Sequence, residues 1–249
     1  MFRRVALFVL CGITSSAAFT PAPQPNFSFG EPPSATVPAS PSLARHLAGE
    51  KPFEFTFVTG NERKMREVSE IVAKWGDASM SIRSIDLPEL QGDDPLHISQ
   101  EKARLASQYV NGPTVVEDVS LCFGALNGLP GPYIKWFSKS IGNQGLYSML
   151  AAHTDKSAMA LCALTFMESP NHDPVTVRPK TPTFCGVTRG KVCDPGTKEA
   201  GGWDNMFIPT GHEVTFAEMG IERKNLISHR ANALQKFGDY IRSARDESA

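Results

Sequence analysis

The run Phe53-Glu54-Phe55-Thr56-Phe57-Val58 alternates in polarity and then breaks at Thr59-Gly60-Asn61. A period of two specifies a strand, here Glu54–Thr59, with one face buried. Past the break, Met65, Val68, Ile71, Val72 and Trp75 recur at helical spacing, so a helix is predicted over Lys64–Trp75. A strand that turns sharply into a helix aims the helix's unpaired N–H groups and positive dipole end at the corner. Gly60 lets the backbone turn there and approach an anion. Thr59 and Asn61 bring side-chain hydrogen bonds, and Lys64 adds a mobile positive charge. The P-loop has a longer glycine-rich loop ending in Gly-Lys-Ser/Thr, which this corner lacks. It reads as a phosphate grip or, alternatively, as a plain strand-turn-helix junction with an incidental lysine.

Further elements follow. Met80, Ile82 and Ile85 predict a second strand, Ile98–Val110 a second helix, and Thr114-Val115-Val116 a short buried strand ending at Glu117-Asp118. A Gly/Pro loop, Asn127–Pro132, leads to one or two helices over Tyr133–Leu150. Ser157–Met167 and Thr183–Val192 read as arms of a long hairpin, joined by the polar, proline-rich Glu168–Pro182. Arg223–Ile241 is the last predicted helix, with Leu234, Phe237 and Ile241 in phase. Strands and helices mixed in this way predict an α/β domain with a mixed sheet, not a doubly wound parallel one.

The first fifth of the chain has a different character. Met1-Phe2-Arg3-Arg4 is basic, Val5–Ile13 is apolar but too short for a bilayer span, and Ser16 and Ala18 suit cleavage before Phe19, the pattern of a signal peptide over residues 1–18. Residues 19–50 are rich in Pro, Ser and Ala, so the expectation is a disordered transit-like segment, with the folded domain over 51–249. Ala-Phe at the junction resembles the bipartite presequences of algae with complex plastids. Export to the secretory pathway with a disordered leader is the alternative.

Composition excludes several functions. The net charge is −1, with Lys and Arg spread along the chain, which argues against a nucleic-acid surface. No later segment suits a membrane span. The five cysteines form no Cys-x-x-Cys pair and no histidine sits at finger-like spacing, so zinc is not expected. A Cys185–Cys193 disulfide stays open. Without Gly-x-Ser-x-Gly or a cysteine beside a histidine, covalent catalysis has little support.

The candidate chemistry lies elsewhere. Glu117-Asp118 is read at a strand end, where α/β folds place ligands. Together with Glu89 of Asp86-Leu87-Pro88-Glu89, such carboxylates suit Mg²⁺, which prefers hard oxygen ligands and substrate phosphates. Lys102 and Lys135 are candidate phosphate ligands. Lys224 and the triplet Ser228-His229-Arg230 stand at or near a helix start, where Ser228 also suits an N-cap. Taken singly, each has a bland reading as a solvated loop acid, a snorkelling lysine or a cap.

Together they fall in one order: Thr59-Gly60-Asn61 with Lys64, Leu87-Pro88-Glu89, Val116-Glu117-Asp118, Gly128–Phe137, Gly202-Trp203-Asp204 and Ser228-His229-Arg230. From about Phe53 to Tyr240 the chain resembles the inosine triphosphate pyrophosphatase family, closely so over Gly128–Phe137. The resemblance implies an elongated mixed β-sheet with flanking helices, in two lobes around a central cleft. It also implies a homodimer, usually cytoplasmic, that uses Mg²⁺ to cleave ITP, dITP and XTP to the monophosphate and pyrophosphate. Thr59, Gly60, Asn61 and Lys64 would then hold phosphate, with Lys64 also serving catalysis. Glu89 and Asp118 would place Mg²⁺, with Glu117 the lesser candidate, and Asp118 would activate the attacking water, either directly or through the metal. Lys102 and Lys135 would counter the triphosphate charge. Gly202, Trp203, Asp204, Lys224, His229 and Arg230 would form the base end.

The chain departs from the family pattern at Gly201, where the family carries an aromatic that stacks on the base, and at Asn205, where it carries proline. These departures keep open a pyrophosphatase of different base preference. A non-catalytic nucleotide-binding module is a further alternative, which retention of Glu89 and Asp118 disfavours.

Overall fold

The structure, a computed structural model, describes Leu43, Leu47 and residues 51–168, 181–197 and 201–247. The signal peptide, most of the leader and most of the Glu168–Pro182 connection lie outside these residues. The predicted opening is present: β1 (Phe53–Val58) runs through the Thr59-Gly60-Asn61 corner into α1 (Glu62–Val72). Asn61 caps α1, its Oδ1 accepting from the Arg63 and Lys64 N–H groups, so the helix begins two residues earlier than periodicity alone suggests. β2 (Ala78–Arg83) pairs parallel with β1, and α2 (Pro95–Ser107) starts on the Asp94 cap with proline at its first turn.

β3 (Thr114–Phe123) departs from expectation, since it does not stop at Glu117-Asp118. It runs on for its full length against β5 (Ser157–Met167), from Thr114↔Met167 to Phe123↔Ala158. The charged pair is tolerated within the strand because adjacent side chains point to opposite faces and each finds its own cation. β5 and β6 (Thr183–Val192) form the predicted hairpin with unchanged bounds. β4 (Pro130–Gly131) pairs with β3, and β7 (Phe207–Pro209) closes the far edge. The seven-stranded mixed sheet has the order β2-β1-β3-β5-β6-β7, with β4 attached to β3.

Two helical regions are broken. α3 (Ile134–Ser148) kinks at Gly142, whose φ of 65° is left-handed, so the stretch holds two helical pieces. The predicted last helix is in fact two, α4 (Phe216–Ile227) and α5 (His229–Asp246). Ser228 separates them with extended backbone, and its hydroxyl accepts from the Ala231 N–H to cap α5. α4 opens on a Thr215/Glu218 capping box.

The main core joins β1, α1 and α5, with Phe237 of α5 meeting Phe55, Phe166 and Phe184 at ring distances of 5.3, 5.4 and 5.6 Å. A second core gathers Leu121, Phe123, Leu146, Leu150, Trp203, Phe207 and Phe216. Val119 of β3 packs against both and also lines the cleft, so the cleft opens where the two cores meet. Leu43 and Leu47, within the stretch assigned to the leader, are helical and buried in the main core, so these two positions belong with the folded domain. Proline-rich composition misled there: it describes the segment's average, whereas two leucines four residues apart make a helical contact face. Among the described residues, no helix is long and apolar enough to cross a membrane. Cys122, Cys162, Cys185 and Cys193 are free thiols, so Cys185 and Cys193 are not bridged.

Candidate active site

A cleft of about 580 Å³ opens beside the β1–α1 corner and extends to α5. Its organising feature is a chain of buried ions. The Lys64 ammonium is 3.1 Å from Glu117 Oε1. Arg230 grips Glu117 from the other side, Nε donating to Oε2 at 2.9 Å and Nη2 to Oε1 at 2.7 Å. Its Nη1 donates to Glu67, which accepts from Lys224 at 2.8 Å. Lys224 also donates to Asp204 at 2.6 Å, and Asp204 faces Arg63 at 3.9 Å. Cation and carboxylate thus alternate, with a cation at each end. Both terminal cations sit on the first turn of α1, but they part there: Lys64 stays beside the phosphate corner, while the Arg63 guanidinium reaches to Gly201, Gly202 and Asp204.

Electrostatics follow from this geometry. Burial pushes Glu117 and Glu67 up, but Arg230 with Lys64, and Arg230 with Lys224, outweigh it and hold both carboxyls below the usual range. Asp118, on the opposite face of β3, goes the other way. Burial raises its pKa, and Lys102, at 3.7 Å from Oδ1, and Lys64 only partly offset this. Lys102 is lowered by its own burial and then by the charge of Lys64, and it donates to the Glu117 carbonyl at 3.2 Å. Glu89 pairs with Lys135 at 2.5 Å on the open side of the cleft.

The sequence-predicted residues mostly converge. Thr59, Gly60, Asn61, Lys64, Glu89, Lys102, Asp118, Lys135, Gly202, Trp203, Asp204, Lys224, His229 and Arg230 all line the cleft. Glu117 does not, and its candidacy as a metal ligand is corrected. It is 2% exposed and committed to Arg230 and Lys64, because mid-strand alternation turns it away from Asp118. Asn61 is a helix cap first, leaving its Nδ2 group for a ligand. Trp203 both faces the cleft and packs in the second core, 5.4 Å from the His229 ring. His229 is buried with neither ring nitrogen partnered, and burial followed by the Arg230 charge holds it well below its ordinary pKa.

Three contributors were missed. Glu67 follows Lys64 by three residues and adjoins Val68, on the face that α1 buries, and that spacing was a usable signal. Asn143 holds the base end in shape by donating to the Gly202 carbonyl and the Asn205 side chain, both at 2.6 Å. Arg63 lies against Gly201 and Gly202. Neither Asn143 nor Arg63 carries a spacing signal, since each meets its partner through tertiary packing.

Among the described residues no three His, Cys, Asp or Glu side chains cluster to hold a metal. The donor set nevertheless fits Mg²⁺, which binds through one or two carboxylates plus substrate phosphates and not through an all-protein cage. Glu89 and Asp118 are hard-oxygen donors on the same cleft, Glu89 paired with Lys135 and Asp118 with Lys102.

Comparison with known proteins agrees. The family model described as the Ham1 family matches residues 55–240. An inosine triphosphate pyrophosphatase of Tuber melanosporum (strain Mel28) is 46% identical over 185 residues, which are 74% of this chain and 95% of that protein. The structure of a HAM1 protein from Coxiella burnetii superposes with a TM-score of 0.63 at 25% identity, covering 77% of this chain and 99% of that one. The Staphylococcus aureus Ham1 protein shares the fold at a TM-score of 0.60 and 22% identity, over 76% of this chain and 98% of its own. With its motifs gathered on one cleft and the match spanning nearly the whole folded region, the chain belongs to the Ham1 family, the inosine triphosphate pyrophosphatases that its sequence resembles.

Proposed function

We propose that the chain hydrolyses ITP, dITP and XTP to the nucleoside monophosphate and pyrophosphate, keeping non-standard purines out of RNA and DNA. The observation that carries this reading is the convergence of Asp118 and Glu89 with Lys64, Lys102 and Lys135 on one cleft with surplus positive charge. The triphosphate lies along Thr59, Gly60, Asn61, Lys64, Lys102 and Lys135. Asp118 accepts a proton from a water that attacks the α-phosphorus, and the bond from that phosphorus to the bridging oxygen of pyrophosphate breaks. Lys102 and Lys135 meet the charge on the departing pyrophosphate. Mg²⁺, held by Glu89 and Asp118, would neutralise phosphate charge.

The base is read by donors. Beyond its bonds to Glu117 and Glu67, Arg230 keeps one N–H on each terminal nitrogen, and His229 has an unpartnered ring. These groups suit the 6-oxo acceptor of hypoxanthine or xanthine and meet adenine's amino group donor to donor. A site of this kind discriminates by on the order of 10⁴-fold. The test is product analysis across ITP, XTP, ATP and GTP with Mg²⁺. Pyrophosphate from ITP and XTP in large excess over ATP is the expected result, and orthophosphate instead would place the attack on the wrong phosphorus.

A homodimer is proposed on the same family footing. Leu129, Trp136 and Ile141, exposed and near in sequence, support it, and light scattering tests it. The basic and apolar start of the chain supports passage into the secretory route, with a complex plastid as one destination, which a fluorescent fusion of residues 1–50 tests.

A further inference from the structure

Arg63 lines the cleft, yet the phosphate grip does not require it. Its guanidinium fills space that two glycines leave. A Cβ on Gly202 would stand 2.2 Å from Nη2, 2.6 Å from Nη1 and 2.8 Å from Cζ, and one on Gly201 would stand 3.4 Å from Nη1. Gly202 has φ of 71°, so its backbone asks for glycine in any case. A Cβ on Gly201 would only touch Nη1, at an ordinary contact distance, whereas a ring at that position would meet the guanidinium. The guanidinium is placed by charge without being bound by it. Asp204 Oδ2 is 3.9 Å away and already accepts from Lys224 at 2.6 Å. Nη1 is buried with no hydrogen-bond partner although the side chain as a whole is one-third exposed. A buried donor left unpaired is costly unless a ligand takes it up. The neighbours that line the cleft beside it are Gly202, Trp203 and Asp204, which places Arg63 with the base end.

We infer that Arg63 is a substrate-contacting specificity residue that holds the purine, its planar cation supplying the surface that no ring at position 201 provides. Guanidinium planes stack on aromatic rings, and the exposed third of the Arg63 side chain offers the purine a planar cation that lysine lacks. The inference rests on the base end lying where the proposed function puts it.

The experiment is steady-state kinetics on ITP with inorganic tripolyphosphate as a competitive inhibitor that has no base. Arg63→Ala should raise KM about ten-fold with kcat nearly unchanged, because a stacking contact is felt equally in the ground and transition states. The inhibition constant of tripolyphosphate should not move. Arg63→Lys should behave like the alanine variant, and Gly201→Phe added to Arg63→Ala should restore KM, a ring entering the space the guanidinium left. An unchanged KM in Arg63→Ala, a matching loss of tripolyphosphate affinity, or full rescue by Arg63→Lys would each overturn the inference. Failure of the wild-type protein to release pyrophosphate from ITP would instead strike the proposed function, so the two failures read differently.

Discussion

Two sets of ion pairs meet at this cleft, and they differ in burial. Glu117, Glu67, Arg230 and Lys224 have side chains 1 to 5% exposed and are bonded to one another. Glu89 and Lys135 are 34 and 59% exposed and paired with each other. Buried charges of this kind cannot be separated cheaply, so they act as a frame that fixes α1, β3, α4 and α5 relative to each other. Open pairs can exchange partners with a phosphate or a cation at little cost. Asp118 and Lys102 lie between these extremes at 14 and 22% exposed, buried enough for shifted pKa values and open enough to meet substrate. The contrast separates residues that shape the site from those that work in it, although both sets carry the same side-chain types.

The largest effect should come from the frame. Glu117→Gln leaves Arg230 and Lys64 without their carboxylate and should cost about 3–5 kcal/mol of stability in urea unfolding. pH gives a parallel reading. Glu117 and Glu67 are depressed in the fold, so their contribution is complete above the ordinary carboxyl value of 4.5 and drains away as pH falls below it. A Glu117→Gln protein as stable as wild type, losing activity alone, would make Glu117 a working residue and erase the distinction.

Asp118→Asn is the converse. It should lower kcat by about 10²–10⁴-fold while the unfolding midpoint holds, since an amide is a poor base. Without Mg²⁺ the Asp118 carboxyl should titrate above the ordinary aspartate value of 3.8, because burial outweighs Lys102 and Lys64, and added Mg²⁺ should pull it down. A metal-free carboxyl that NMR finds titrating at or below that value would remove the burial argument for Asp118 as the base.

The strands, the corner and the hairpin were legible because hydrophobic period and turn residues are local properties. β5 and β6 kept their predicted bounds for that reason. β3 was cut short because a Glu-Asp pair resembles a strand end until the partners of each acid are known. Arg230 and Lys64 come from α5 and α1, distant in sequence. The break at Ser228 was visible as a cap candidate but not as a boundary, because helical period resumes beyond it. Most site residues were legible through ordered motifs. Arg63 and Asn143 were not, since their roles depend on the backbone of Gly201, Gly202 and Asn205.

The buried frame extends beyond its ions into apolar contact, and Leu43 and Leu47 test that reach. Removing residues 1–47 takes both from the main core and should cost about 3 kcal/mol, from the burial of two leucine side chains. Removing residues 1–41 keeps both and should leave the unfolding midpoint within error. Equal stability of the two truncations would return Leu43 and Leu47 to the leader.

The smallest effect belongs to the open pair. Lys135 reaches Glu89 across the mouth of the cleft, and Nζ lies 5.7 Å from the Trp136 ring centre, as does the Lys139 ammonium. With more than half of its side chain in water, the pair is screened, and its contribution to stability is discounted to about 0.5 kcal/mol or less. Lys135→Met should therefore leave unfolding nearly unchanged and raise KM for ITP about three-fold. The rise should shrink in added salt, because the Debye length falls from about 10 Å at 0.1 M to about 3 Å at 1 M. Glu117→Gln should show no such relief, since its charges are shielded from solvent ions by protein. If Lys135→Met instead unfolds as readily as Glu117→Gln, exposure does not separate frame from working residues, and Lys135 belongs with the buried chain.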